Sequence, residues 1–362
     1  MDKSRRSPWK VLSGLWSNYS FIFIFVVIFL AYYLVSPHLT WTGITNILRH
    51  SADVGIIALG MGLVVITGQI DLSVGSMLAF VGGCTIMVYN VTNSILLAFL
   101  AAVVCGTVCG LINGVLVGRA KMPAFIATLA TMLIYRSLTR YICSEIPTTL
   151  SGGSNSLFKL MRGEKIVSAL KLHEGTDMYK VFYNFGNGKF LGLPVTGIFL
   201  LMITIVIVYV TTSTKYGKSL YAVGSNERAA RLCGINVDRC RVSVFAITGL
   251  LTGISAFLWI GMNASIDPAT TGSSYEMYAI AAVVLGGINM AGGRGRCIGI
   301  LFGVMSYTII DKIIVSLKLN TQLNDTVKGA ILIIAILIQT VGPMIRESLR
   351  ARRIRRQMSK QE

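Results

Sequence analysis

Runs of about twenty apolar residues, joined by connections mostly a few residues long, fill most of this 362-residue chain, and a water-soluble fold cannot bury so many. Each run is long enough to cross about 30 Å of hydrocarbon as a helix. About ten can be placed, at 20–36, 50–67, 74–89, 94–117, 123–142, 194–212, 242–262, 276–290, 296–316 and 326–345. Only 13% of residues are charged and mean hydropathy is +0.69, against about 25% charged in ordinary soluble domains. The expected fold is an all-α polytopic membrane protein with about ten transmembrane helices.

The net charge is +18, yet its placement speaks for orientation rather than for nucleic acid. With the amino terminus inside, the segments that face the cytoplasm carry 21 Lys and Arg and those outside carry 8, the asymmetry expected of cytoplasmic loops. Both termini are then cytoplasmic. The first 19 residues form a basic tail, and no small-residue cleavage site follows the first apolar run, so that run reads as a retained anchor. The basic tail at 346–362 suits anionic headgroups.

One cytoplasmic segment stands apart. Residues 213–241, STKYGKSLYAVGSNERAARLCGINVDRCR, form a polar, partly helical island between the apolar runs Pro194–Thr212 and Val242–Met262, a natural place for a soluble partner to grip. Its GKS at 217–219 is no phosphate-binding loop, because position 212 is Thr where that loop requires Gly. The chain therefore carries no nucleotide site of its own. No nucleophile, base and orienting group occur together, so an enzyme is not expected. Ion-coupled transport needs ionisable residues within the membrane, and Asp71, Asp311 and Lys312 are the candidates. Asp311 and Lys312 are sequence neighbours and point to different sides of one helix. A secondary transporter for sugars stays as the alternative function.

A polar interruption follows the second run. From Val54 to Thr67 there are 14 apolar-type residues, about 21 Å of helix, before Gly68, Gln69, Asp71 and Ser73. A carboxylate at membrane depth costs about 2.5–3.5 kcal/mol on insertion scales, so this break faces a cavity or interface, or lies at a boundary. Two readings stay open: a polar lining for a polyhydroxylated solute, or a tight cytoplasmic turn in which Asp71 or Ser73 caps the next helix. The stretch GQIDL at 68–72 is echoed by GGINM at 286–290, which contains Asn289.

Glycines spaced by four at 106, 110 and 114, at 249 and 253, and at 299 and 303 form small faces on which helix backbones can meet. Arg136 and Arg140 lie near the outer end of their run and can snorkel or line a vestibule, of which snorkelling is the expectation. Seven cysteines show no CxxC pair, and three histidines no ligand spacing, so no metal is assigned. The polar insert at 143–193 reads equally as an outward cap and as an irregular loop.

Four stretches carry a family resemblance: ALGMGLVVITGQIDLSVGSMLAF (58–80), MPAFIATLATM (122–132), YGKSLYAVGSNERAARLCGINV (216–237) and YAIAAVVLGGINMAGGRGRCIGILFG (278–303). They resemble, in order, the permease subunits of bacterial ribose, xylose, arabinose and galactose ABC importers. The resemblance runs from about residue 40 to the end, apart from 143–193. It implies a type II importer fold in a bacterial inner membrane, with two permeases, identical or paralogous, flanking one pathway. Two partner ATPase subunits, which hold ATP and magnesium, lie below, and an extracytoplasmic sugar-binding protein docks above. The function implied is import of a monosaccharide.

Within 213–241 the resemblance is to the E-A-A…G coupling motif, a helix and glycine turn that lies in a groove of the ATPase. Glu227, Ala229, Ala230, Gly234 and Ile235 carry that match, with Gly224 and Asn226 leading into it. Two departures stand out. GQIDLS replaces the commoner GGIDLS, and the 143–193 insert is longer than expected.

Overall fold

A computed structural model describes residues 8–36, 40–145, 157–158, 167–168, 170–172 and 177–317, with isolated helical positions between 326 and 337. The carboxy-terminal tail, the amino-terminal seven residues and most of the expected last span lie outside the described residues.

The described chain is helical: α1 Pro8–Val35, α2 Trp41–His50, α3 Ala52–Ile66, α4 Val74–Thr92, α5 Ile95–Gly118, α6 Ala124–Glu145, α7 Asp177–Asn187, α8 Val195–Ser213, α9 Lys215–Ser225, α10 Glu227–Leu232, α11 Val237–Asn263, α12 Tyr275–Leu285 and α13 Ile298–Ser316. Six two-residue strands, β1 Leu157–Phe158, β2 Val167–Ser168, β3 Leu170–Lys171, β4 Lys189–Phe190, β5 Leu193–Pro194 and β6 Ser265–Ile266, pair antiparallel as β1–β2, β3–β6 and β4–β5. Among the described residues five helices are long and apolar enough to cross a membrane, and six if α2 and α3, bent by 46°, count as one.

Helix α3 is the axis of the bundle. Beyond Asp53 in its first turn it is apolar all round, which is the pattern of a helix enclosed by others, and every residue from Ala52 to Ile66 is buried. Helix α5 is the contrary case. Its small residues at 98, 102, 106, 110 and 114 are buried, while Leu96, Leu100, Val104 and Leu111 on its other face are exposed.

The expected small faces meet backbone to backbone. A Cβ built on Gly106 would lie 2.8 Å from the Cα of Gly253, and one on Gly249 would lie 2.7 Å from the Cα of Gly110. This makes α5 against α11 the most extensive helix contact. The Gly303 face abuts the Ala282 carbonyl of α12 in the same manner. In lipid there is no hydrophobic gain in pairing helices, so close approach and dispersion must supply the attraction.

One expected span differs. Instead of a full helix at 276–290, α12 ends at Leu285 after 11 residues, and the segment before it is irregular. Ile266 packs at Gly82 and Gly272 at Gly75, so this segment follows α4 for seven residues, about 10 Å, into the bundle. Such backbone is tolerated at depth only when protein satisfies it. Here the Arg136 guanidinium donates to the carbonyls of Pro268, at 3.2 Å, and Thr271, at 2.7 Å. Arg136 is thus part-buried and structural rather than snorkelling. An apolarity count over 276–290 cannot see this, because half-buried irregular backbone and a helix share one composition.

The described part of the insert packs against the bundle. Phe182 of α7 is buried and stacks on Phe257, ring centroids 4.8 Å apart. The β3 strand pairs with β6, and the Asn187 amide donates to the Gly261 carbonyl at 3.1 Å.

Candidate functional site

The segments 68–73, 118–122, 213–241 and 291–295, which the sequence places on one side, gather at one end of the bundle. Their meeting point is Gly224 in α9. A side chain there would collide with the Ile66 carbonyl oxygen and would lie 2.6 Å from the Gly293 nitrogen, so only glycine lets α9 lie against the end of α3. The Gly293 N–H in turn donates to that same Ile66 carbonyl at 2.9 Å, and the Ser225 hydroxyl donates to the Gly293 carbonyl at 3.3 Å.

The coupling-motif residues form a short helix and turn projecting from this junction. Asn226 caps α10 by accepting from the Ala229 N–H at 3.0 Å, and Ala230 is the buried contact of the helix. The helix ends in a C-terminal cap: Gly234, at φ +79°, donates to Arg231 and Ile235 donates back to Ala230. Glu227 holds the base of the hairpin, accepting from Arg241 at 2.6 Å and from Arg231 at 3.0 Å. Arg231 also reaches Asp238 at 2.7 Å. Partial burial works to raise the Glu227 carboxyl, but the two guanidinium partners outweigh it and hold the carboxyl below its ordinary value. Leu232 is 90% exposed at the tip, and nothing lies within 4 Å of a Cβ at Gly234.

The break after α3 is a turn of the same kind. Gly68, at φ +76°, donates to Val65, and Gln69 donates to Val64. After α12 the equivalent bonds come from Gly287 and Ile288. The matched sequences GQIDL and GGINM therefore align one residue out of step with their backbone geometry, although the two breaks do meet through Ile66 and Gly293. Asn289 is exposed and closes its turn by accepting from the Ala291 N–H at 2.9 Å.

Asp71 is fully buried. It accepts from the Ser73 N–H at 2.9 Å and hydroxyl at 2.7 Å, just before α4 begins. The Asn113 amide donates to the Ser73 hydroxyl oxygen at 2.8 Å. These bonds give Asp71 and Ser73 a turn-closing part at the start of α4. Gln69 instead faces a cavity of about 600 Å³ that it shares with Glu227, Arg231 and Arg241.

A second cavity, of about 610 Å³, opens at the far end of the bundle. Helices α2 and α3 contribute Arg49, His50 and Asp53, α11 contributes Trp259 and Asn263, α12 contributes Tyr275 and Tyr278, and α13 contributes Tyr307, Asp311 and Lys312. The Tyr275 phenol donates to Asp53 at 2.8 Å. Asp311 and Lys312, assigned to different sides by helix geometry, both reach this cavity. Sequence reasoning does not find the rest. The signal it holds is Asp53, an acid within an apolar run, followed by tyrosines and tryptophan near the ends of three later runs.

Comparisons with known proteins follow the same pattern. The model of the family described as "Branched-chain amino acid transport system / permease component" matches residues 43–336. The chain is 36% identical over 319 residues to the ribose import permease protein RbsC of Bacillus subtilis (strain 168), covering 88% of this chain and 91% of that one. It is 32% identical to the ribose import permease protein RbsC of Escherichia coli (strain K12), over 88% and 92% of the two chains. To the xylose transport system permease protein XylH of the same strain it is 30% identical, over 86% and 88%. No solved structure matches.

Proposed function

Since this chain belongs to the branched-chain amino acid transport system permease family, and within it resembles sugar permeases of ABC importers, we propose that it is the membrane-spanning subunit of an ATP-driven importer for a monosaccharide. The observation that carries this reading is the α10 hairpin. It is braced by Glu227, fixed to α3 and to the turn after α12 through Gly224, and exposes Leu232 where a soluble partner can reach it.

In this reading two ATPase subunits, holding ATP and magnesium, seat on Glu227–Ile235 of two permease copies. Both termini share the hairpin's cytoplasmic side of a bacterial inner membrane, and about ten spans are completed by residues 326–345. An extracytoplasmic sugar-binding protein delivers the solute to the opposite end, where Asp177–Asn187 packs on α11. ATP-driven closure moves α10, and the junction of the preceding helix α9, at Gly224, with Ile66 and Gly293 carries that motion into α3 and α12. An element transmits work only if its contacts differ between two states, and the hairpin is the part that changes partners.

The test is Leu232→Asp. Because the side chain is exposed, the permease should reach the membrane at its normal level, while co-purification of the ATPase and sugar uptake are lost. An ion-coupled carrier would behave otherwise: uptake would survive Leu232→Asp and collapse with a protonophore while cellular ATP is held constant.

A further inference from the structure

The cavity between α2–α3 and α11–α13 has walls of two chemical kinds. One is aromatic and continuous: ring centroids are 6.0 Å apart from Trp259 to Tyr275, 5.9 Å from Tyr275 to Tyr278 and 5.2 Å from Tyr278 to Tyr307. The other is polar and includes Asp53 and Asp311 beside Arg49 and Lys312. Two donors on its lining residues, the Trp259 indole N–H and the Arg49 Nε–H, are buried and have no acceptor among the described residues. A buried donor left unpaired carries the full cost of its desolvation.

These features select among ligands. An apolar molecule leaves both donors unpaired. Asp53 and Asp311 beside Arg49 and Lys312 balance in charge, so the lining favours an ion of neither sign, and a simple cation offers the two donors nothing to bond. A neutral polyhydroxylated ring satisfies all of them, because each hydroxyl both donates and accepts and the C–H face of the ring packs on an aromatic surface. The volume lies within the range of small-molecule sites, about 300–1,000 Å³.

We infer that this open cavity is a binding station for the monosaccharide in transit, with Trp259 and Arg49 donating to its hydroxyl oxygens and Asp53, steadied by Tyr275, accepting from a hydroxyl. The inference rests on the importer reading and adds to it the place inside the chain where the solute stops.

The experiment uses the full chain with Trp9, Trp16 and Trp41 changed to Phe, so that Trp259 is the sole indole. D-Ribose, D-xylose, L-arabinose and D-galactose are titrated against its fluorescence, with glycerol as a control. At least one sugar should give a saturable change that glycerol does not, and Arg49→Gln should raise its midpoint about tenfold, the loss of one charged hydrogen bond. In cells, Trp259→Phe keeps the ring, removes the N–H, and should slow uptake of that sugar at an unchanged membrane level. Failure of all four sugars to perturb Trp259, with uptake unaltered by Trp259→Phe, overturns the inference. If Leu232→Asp still abolishes uptake in that case, the importer reading stands and only the cavity assignment falls. A saturable Trp259 response alongside uptake that survives Leu232→Asp supports the cavity and removes the importer reading.

Discussion

Tyr275 and Asp53, 222 positions apart in sequence, are joined by a 2.8 Å hydrogen bond from the phenol to the buried carboxylate. At the other end of α3 the Ile66 carbonyl accepts from Gly293, beyond α12, at 2.9 Å. Helices α3 and α12 are therefore strapped at both ends, one strap beside the α10 hairpin and the other beside the aromatic cavity.

Tyr275→Phe removes the upper strap and leaves a buried carboxylate short of a donor, a loss of about 1–3 kcal/mol. The purified chain should melt at a lower temperature. The double variant Tyr275→Phe with Asp53→Asn should cost less than the two single losses combined, as expected of groups in direct contact. Strict additivity in thermal unfolding would show that the bond carries no coupling.

Gly249→Ala sets a methyl against the backbone of α5, since a Cβ there would lie 2.7 Å from the Gly110 nitrogen and Cα. Overpacking of this kind costs about 1–3 kcal/mol, and folded yield in detergent should fall. Gly83→Ala is the control. Its nearest neighbour is the Leu170 Cδ1 at 3.4 Å, and it should be tolerated.

At Gly234 the space is open and only the backbone angle matters. A β-branched residue in this left-handed conformation costs about 1–2 kcal/mol and should tilt the turn. Gly234→Val is expected to leave ATP hydrolysis running while uptake drops, and Gly234→Asn, which accepts this conformation more readily, should retain uptake. Hydrolysis and uptake measured in the same vesicles separate the two outcomes.

The Glu227 carboxyl is held below its ordinary value, so its bracing of the hairpin is complete above the unfolded carboxylate pKa of about 4.3 and is lost as pH falls through the lower folded value. Amide exchange across 226–241 should be flat from pH 7 to about 5, after correction for intrinsic rates, and should rise at more acid pH. Glu227→Gln should be fast throughout and lack that acid limb.

Several of these features are legible in the sequence alone. The glycines at 106, 110, 249 and 253 announce a close helix crossing, because spacing by four is a property of one helix and needs no partner to be recognised. The helix and glycine turn across Glu227 and Gly234 are implied by the resemblance to the E-A-A…G motif rather than by spacing, and a short helix and a glycine at positive φ stand there. For Asp71 the sequence allows two roles. Its bonds to Ser73 identify a turn, since that pairing spans only two residues yet depends on how the chain bends between them. Matching GQIDL to GGINM by letters places the register one residue out, because identity of letters does not report which glycine takes the positive φ. The sequence suggests snorkelling for Arg136, because the irregular carbonyls it satisfies are 132 and 135 positions away.

The sequence by itself determined that the chain lives in a membrane and which faces of its helices are small. Each of these follows from residues within a turn or two of one another. Only the tertiary structure decided that α12 is a half-length helix beside buried irregular backbone, that the two breaks and Gly224 share one junction, and that Arg49, Asp53, Trp259 and Tyr275 line one cavity. Those meetings depend on how closely distant helices approach. That distance is set by the packing of whole faces, which no single segment contains.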